Sequence, residues 1–559
     1  MLQVIHPDKT FYTYIMRIKA IIVFLFILFA IPGCRQVANN DGIPLAPVQN
    51  RRPDNFHPFR YKYSLKELQA NFSNDIMKSA AKQYDKVKEI NNKGKWKPTP
   101  ESIDSHQAPE WFKDAKFGMF IDWGPWAVAG WAPKKKEGPM YPDRYESRIF
   151  TDSSFMKYHV KNWGKDFNID DFIPMFTADN YQPRELVEMA KATGMKYVVP
   201  FCKHHLGFCM WPSSFTQRNA EDMGPKKDLI GPLVEACQKE GLKFGFYFSV
   251  AEDYYPIIDS TGNLQTHIWG GPTKPYSPDI EKKSSGKIAV RDFATDYIVP
   301  TATEFIDKYD PDILWYDGEW LTNAEELHTY DIAAYFYNKT EGRKDVAVND
   351  RYGLQDGKRL RSKRGDFFTS EYNDKGEKPK QSHAWEECKG ISQSFGYNWE
   401  DTDENVISSK EFIDMFVDIV AQGGNLLLIV NLDGKGTLPE IQKKRLKDIG
   451  KWLKVNGEGI YSTRPFTFPS QGTVSFTRTK EHRYIYAILK EWPGKVLNLK
   501  GIKADKESKI EMLGYGNTLE WVNTEDGVSV KFPENLQKDN NRPCEYAWIL
   551  KIKLDKGDI

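Results

Sequence analysis

The chain of 559 residues contains little cysteine, six residues in all. They are Cys34, Cys202, Cys209, Cys237, Cys388 and Cys544, at irregular spacing. That pattern offers no disulfide framework and no C-x-x-C metal site. Cys202 and Cys237 lie in apolar segments and read as small core residues. An excess of one charge is also missing: 78 basic side chains face 77 acidic ones, for a net charge of +1. This balance removes the electrostatic case for nucleic acid. There is no internal repeat. A Gly-rich phosphate fingerprint is absent, which argues against a nucleotide-binding sheet. A Gly-x-Ser-x-Gly elbow is absent too, which argues against Ser-His-Asp catalysis.

What is present is aromatic and apolar side chains: 40% hydrophobic, 14% aromatic, with 16 Trp and 28 Tyr. This supports large cores and two or three domains. Trp-rich surfaces also stack on sugars, although core packing explains aromatics equally well. At the N-terminus, Met16-Arg-Ile-Lys and the apolar run Ala20 to Ile31 form a signal-like segment, too short to span a bilayer comfortably. Phe-Ala-Ile-Pro-Gly-Cys34 after it resembles a bacterial lipobox, with Cys34 as the lipidated residue. The alternative is an ordinary secretory signal. The expectation is a signal peptide over 1–34 and a lipid-anchored protein in the periplasm or at the cell surface of a Gram-negative bacterium. The membrane is reached only through the lipid. Met1 to Tyr14 fits no signal, so Met16 is the expected start.

Residues 35–107 read as a tether followed by a helical extension. Gln36 to Phe56 is Pro-, Asn- and Arg-rich, Leu65 to Ile90 has helical spacing, and Asn91 to Gln107 reads as a linker. Over 108–463 short apolar strands alternate with amphipathic helices, which predicts a (β/α)8-like TIM barrel. Predicted strands are Ala115–Ile121, Lys196–Cys202, Leu242–Ser249, Ile313–Trp315, Asp345–Asn349, Asp366–Tyr372 and Asn425–Val430. Predicted helices include Pro183–Thr193, closed by Gly194, and Phe293–Tyr309, which Pro300 threatens to kink. Ala324–Lys339 and Leu438–Val455 are further helices. Over 464–559 short strands separated by polar turns predict an antiparallel β-sandwich.

In a parallel barrel the chemistry gathers at the C-terminal ends of the strands. Asp317 ends the strand Ile-Leu-Trp-Tyr between two Trp. It reads as a site carboxylate or, more plainly, as a cap of the next helix. Asp122, His204-His205, Tyr247, Trp315, Asn349-Asp350-Arg351 and Glu371 fall at other strand ends. The tandem His residues point to opposite faces of a strand and lack metal-ligand spacing, so neutral imidazoles bonding sugar hydroxyls fit better than a metal. Two carboxylates flanking a bond suit glycoside hydrolysis. Asp317 and Glu371 are the natural pair; spacing alone leaves Glu319, Glu386 and Glu387 open. No cofactor is implied.

These residues resemble glycoside hydrolase family 29, the retaining α-L-fucosidases. The likeness runs from Trp111 to about Thr463, with a C-terminal sandwich beyond. It rests on Trp111-Phe-Lys-Asp-Ala-Lys-Phe-Gly-Met-Phe-Ile, Lys203-His-His, Gly224-Pro-Lys-Lys-Asp, Trp315-Tyr-Asp317, Asn349-Asp-Arg, Ser394-Phe-Gly-Tyr-Asn and Gly423-Gly-Asn-Leu-Leu-Leu, in the family's order. The resemblance implies Asp317 as nucleophile and Glu371 as acid/base, with Glu386 as the fallback. It implies His204, His205, Tyr247, Trp315 and Arg351 around the sugar and Phe395 lining it. The implied partner is a glycan or oligosaccharide.

The sequence also departs from the family. Asp122-Trp-Gly stands where the family has His-Trp-Gly, Asp143-Arg144-Tyr145 where it has Glu-Trp-Tyr, and Leu206 where an Asp follows the two His. The catalytic pair is kept while sugar-reading positions change, which implies altered sugar specificity. L-Galactose differs from L-fucose by one hydroxyl at C6. Asp122 or Asp143 accepting that hydroxyl would make the chain an exo-α-L-galactosidase acting on red-algal galactans such as porphyran. Alternatively Asp122 replaces the missing His and fucose still binds. A further alternative is a glycan-binding lipoprotein without activity.

Overall fold

Eight parallel strands follow one another around the body of the molecule in chain order. They are β1 (Phe117–Asp122), β2 (Tyr197–Lys203), β3 (Lys243–Ser249), β4 (Ile313–Asp317), β5 (Ala347–Val348), β6 (Phe367–Glu371), β7 (Ala384–Gly390) and β8 (Gly424–Asn431). This computed structural model describes residues 42–56, 73–135, 138–267, 274–275, 287–320, 322–354, 365–372 and 384–555. Ala46–Ile559 forms one compact unit and Met1–Leu45 another. The expected signal segment, with Cys34, lies outside the described residues, as does the start of the helix expected from Leu65.

Hydrogen bonding orders the sheet β5-β4-β3-β2-β1-β8-β7-β6. One bridge, Asn349 to Phe367, joins the two remaining edges and closes the (β/α)8-like barrel. On the other side, towards β4, the Asn349 side chain does part of a ladder's work. Its amide donates to the Tyr316 carbonyl (2.9 Å) and accepts from the Tyr316 N–H (2.8 Å). Every residue of β1, β2, β4 and β8 is buried, as expected of strands covered on both faces. The register sets Asp122 beside Asn431, Ser249 beside Asp317 and Glu371 beside Cys388. Parallel pairing therefore delivers Asp122, Lys203, Ser249, Asp317 and Glu371 to one end of the barrel.

Several elements differ from the sequence expectation. β1 starts at Phe117 because Lys116, at φ 59°, breaks the chain after the helix Glu110–Ala115. Asp122 is therefore the last residue of β1. β7 was not anticipated: its Glu386, Glu387 and Lys389 break the apolar signal of a buried strand. The expected helix Ala324–Lys339 is two, Ala324–Leu327 and Thr329–Thr340, separated by His328 at φ 55°. The helix expected over Phe293–Tyr309 changes from π to α winding beside Pro300. Pro300 sits in the first turn of Val299–Tyr309, where its missing N–H costs nothing, behind a π-turn at Ala294–Ile298.

The segments expected as tether and linker are packed down where described. Ala46 donates its N–H to Asn162 (2.7 Å), and Trp163 donates its indole N–H to the Asn50 carbonyl (2.9 Å). Trp96 is buried against His106 and Tyr337, and His106 stacks on Tyr337 at 3.9 Å. The helix Ser73–Lys93 lies along Val299–Tyr309 and Thr329–Thr340, with Gln83 bonded to Thr303 (3.0 Å).

Beyond the barrel, Arg464–Gln471, Val474–Arg478, Tyr484–Leu489, Trp548–Lys553 and Glu511–Met512 form one antiparallel sheet. Val496–Lys500, Gly527–Lys531 and Glu520–Asn523 form a second. Phe476, Ile485, Leu499, Val530 and Leu550 fill the core between them. The sandwich meets the barrel through Ser475 and Lys490 on Asp418 (2.6 and 2.7 Å) and through Arg464 and Lys480 on Asp114 (2.9 and 2.7 Å). Asp114 precedes β1, so this contact lies at the opposite end of that strand from Asp122.

Candidate active site

Asp317, at the end of β4, is the centre of the site. Its Oδ1 accepts from Arg351 Nη1 (2.8 Å) and its Oδ2 accepts from the Tyr247 hydroxyl (2.6 Å). His205 Nε2 lies 3.5 Å from the same Oδ2. Burial pushes the Asp317 carboxyl up, but the Arg351 charge and the Tyr247 hydrogen bond outweigh it and leave the group below its ordinary value. Asp317 is thus held ionised in a nearly dry setting. Its side chain keeps 10% of its surface open, enough for one reacting atom to approach.

Arg351, just past β5, also donates Nε to Thr369 (2.9 Å) and Nη2 to Glu371 at the end of β6. One planar guanidinium therefore carries both carboxylates singled out in the sequence. It lies over the Trp315 ring at 4.5 Å, which fixes its plane. Glu371 is the more open of the two, with 24% of its side chain exposed. Glu386 is placed differently. It is fully buried on β7, where its oxygens accept from the Tyr197 hydroxyl (2.5 Å) and the Trp315 indole (2.9 Å). Burial raises it to about 7, so near neutrality it divides about evenly between its charged and uncharged forms inside the barrel.

The facing side of the site is built from β1, β2 and the short helix Pro142–Arg144. Asp122 Oδ1 accepts from the Trp126 indole (3.0 Å), while its buried Oδ2 has no partner among the described residues. Asp143 Oδ2 lies 3.6 Å from His204 Nε2, and Asp143 Oδ1 and His204 Nδ1 are likewise buried without partners. Burial pushes Asp122 up to about 8; burial and then Asp122 itself push Asp143 well up. Burial pushes both histidines well down. The result is a cluster of uncharged donors and acceptors whose open valences call for hydroxyl groups.

Residues behind the histidines hold them in place. Ser249 Oγ meets His205 Nδ1 at 2.6 Å, and Lys203 donates to the Ser249 carbonyl (2.7 Å). Lys203 and Lys287, both buried, pair with the buried Glu252 at 2.7 and 3.2 Å. Gly207 has to be glycine here: at φ 74°, an added Cβ would come within 2.2 Å of Glu252. Tyr247 stacks flat on Phe201 at 3.8 Å. Phe395 lies 5.8 Å from both Tyr141 and Tyr372, and the three rings form one aromatic edge.

Asp317, Glu371, Arg351, Tyr247, His205 and Trp315 are thus directly linked. His204, Asp143 and Asp122 adjoin them, and Phe395 lies at the edge. Sequence reasoning placed Trp126, Ser249, Thr369 and Tyr372 at strand ends and Arg144 beside Asp143 without giving them a role, and it missed Tyr141. Arg144 had a signal: a charge inside a tripeptide whose family counterpart is aromatic. Burial opposes that charge, and Asp253, Asp143, Glu146 and Asp317 more than restore it. Among the described residues, no group of three or more His, Cys, Asp or Glu side chains is arranged to hold a metal ion.

A family model described as Alpha-L-fucosidase matches residues 83–458, and one described as Alpha-L-fucosidase C-terminal domain matches 469–553. Tissue alpha-L-fucosidase of Rattus norvegicus is 31% identical over 461 residues, covering 81% of this chain and 91% of that protein. Alpha-L-fucosidase of Branchiostoma floridae is 30% identical over 471 residues, covering 82% and 96%. The crystal structure of Thermotoga maritima alpha-fucosidase in complex with fucose superposes with a TM-score of 0.66 at 31% identity, covering 82% of this chain and all of that one.

Proposed function

The chain belongs to the α-L-fucosidase family, glycoside hydrolase family 29, and is a glycosidase; from that premise we propose that it is a retaining exo-enzyme releasing terminal α-L-fucosyl residues from glycans. The observation that carries the reading is the pair Asp317 and Glu371 on the two terminal nitrogens of Arg351. Carboxylates held that close suit the roughly 5 Å separation of double displacement, which leaves no room for a water between base and sugar. Asp317 attacks the anomeric carbon while Glu371 gives a proton to the departing oxygen. Glu371 then takes a proton from water, which attacks the same carbon, frees the sugar and restores Asp317. Tyr247 and Arg351 keep the nucleophile ionised and aimed.

A second reading concerns the sugar. The unpartnered Asp122 Oδ2 and Asp143 Oδ1 favour a substrate with one more hydroxyl than fucose, an α-L-galactoside such as those of red-algal galactans. A site built to bond a hydroxyl can reject the analogue lacking it by roughly 10⁴-fold or more. The test is kcat/KM on aryl α-L-fucoside and aryl α-L-galactoside side by side, with Asp317→Ala as the blank. Fucoside preference leaves Asp122 as a replacement for the family's His; galactoside preference by orders of magnitude establishes the second reading. Turnover of neither, with glycan binding retained, sinks the enzyme in favour of a binding protein. Proton NMR of the first product formed must show the α anomer, since a β product would rule out double displacement.

The apolar run before Cys34 supports a lipid-anchored protein of the periplasm or cell surface. Labelled fatty acid incorporated by the full chain and lost in Cys34→Ala checks that.

A further inference from the structure

We propose that the cavity beside Glu371 is the binding site for the leaving group, shaped for an uncharged oligosaccharide. This rests on the proposed role of Glu371. A general acid protonates the departing oxygen, so the aglycone must extend past it. A cavity of about 560 Å³ lies at the ends of β6 and β7, walled by Tyr372, the residue after Glu371, and by Gly390, and it is within the usual range for a ligand site. Tyr372 follows Glu371 with φ 50°, a left-handed turn that sets successive side chains apart. Its ring and those of Phe395 and Tyr141 form one aromatic edge from the helix Pro142–Arg144 to the cavity. The charges of Glu371 and Asp143 bear on both Tyr141 and Tyr372, so the edge adjoins the reacting centre.

The wall suits carbohydrate. Val406, Ile407 and Met415 give apolar surface for sugar faces. Gln393 gives a half-buried side-chain amide that makes no hydrogen bond among the described residues, while its backbone is fixed to Asn405 and Met140. Carboxylates outnumber cations: Asp403, Glu404 and Glu411 against Lys389. Arg445 pairs with Asp403 (3.0 Å) and Ser408 engages Glu411, which still leaves the wall unfavourable to sulfate groups. A chain with neutral hydroxyls is therefore preferred over a sulfated one.

The experiment compares kcat/KM on an aryl α-L-fucoside, which leaves the cavity mostly empty, with kcat/KM on neutral and sulfated α-L-fucosyl oligosaccharides. Gln393→Trp and, from the floor, Met415→Trp fill the space. Either variant is expected to lose about tenfold or more on the neutral oligosaccharide, because binding energy from the remote sugars drives the chemical step. Aryl fucoside turnover is expected to stay within about twofold, which also reports correct folding. Oligosaccharide rates unchanged in both variants, with aryl turnover intact, overturn the assignment. So does a sulfated oligosaccharide preferred over its neutral counterpart. Failure of the unmutated protein on the aryl fucoside falls instead on the functional reading itself.

Discussion

Replacing Tyr247 by Phe tests the claim that Asp317 acts as an ionised nucleophile. The hydroxyl donates to Asp317 Oδ2 at 2.6 Å, and the ring is held between Phe201 at 3.8 Å and Trp315 at 5.5 Å. The variant therefore keeps its ring in place and loses one oxygen. A hydrogen bond to a charged group contributes about 1.5–3 kcal/mol, and about 1.4 kcal/mol corresponds to one pH unit. Asp317 lies below its ordinary value partly because of this bond, and removing the bond raises it. Activity needs the carboxylate, so the acid limb of the kcat/KM profile moves to higher pH by roughly one to two units. The assay is that profile on an aryl glycoside, which reads the free enzyme. The alkaline limb, set by a different group, is expected to stay. An acid limb that does not move, in a folded variant, means that Asp317 is not the titrating nucleophile.

Two further outcomes concern stability. Asp122 rises from 3.8 to about 8 on folding, so its contribution is complete below about pH 4 and is lost as pH rises towards 8. The unmutated protein then loses up to about 1.4 kcal/mol per pH unit across that window relative to Asp122→Asn. Melting temperatures of the two at about pH 5 and pH 7 check this, and a constant gap between them rejects it. Glu252→Ala leaves the buried Lys203 and Lys287 without their shared counter-charge and is expected to cost about 3–5 kcal/mol. Denaturant unfolding at neutral pH measures the loss.

Sequence patterning carried the barrel, the sandwich and the family, because long apolar strands and glycine helix ends are local signals. Pro183–Thr193 with Gly194 behind it is one example, where the helix matches the expectation residue for residue. What was hidden depends on partners distant in the chain. β7 reads as polar until Tyr197 and Trp315 are known to receive Glu386. β5 was legible as the strand expected over Asp345–Asn349, but its shortening to Ala347–Val348 is set by its pairing with β4. Asp122 was legible as a strand-end acid, whereas its unpartnered oxygen and its neighbour Asp143 required the fold. Trp96 reads as part of a linker until His106 and Tyr337 close around it.

The barrel wall is not equally stiff around its circumference. Seven of its joins are ladders, and the eighth, between β5 and β6, has one bridge, at Asn349 and Phe367, flanked by the bonds between Val348 and Asp366 (2.8 Å) and from Thr369 to Asp350 (2.8 Å). Arg351 leaves the chain two residues past that bridge and grips Asp317 on one bank and Thr369 and Glu371 on the other. A charged side chain thus staples the most compliant line in the cylinder. The spacing of the two carboxylates depends on that staple and on the side chains of Asp350 and Asp366 more than on a run of backbone bonds. A sugar ring entering between them draws on the same contacts that hold the wall shut, so substrate occupancy and the tightness of the cylinder become one mechanical variable. Adjusting the gap to a bulkier sugar then needs changes at one seam, with the other seven joins left as they are.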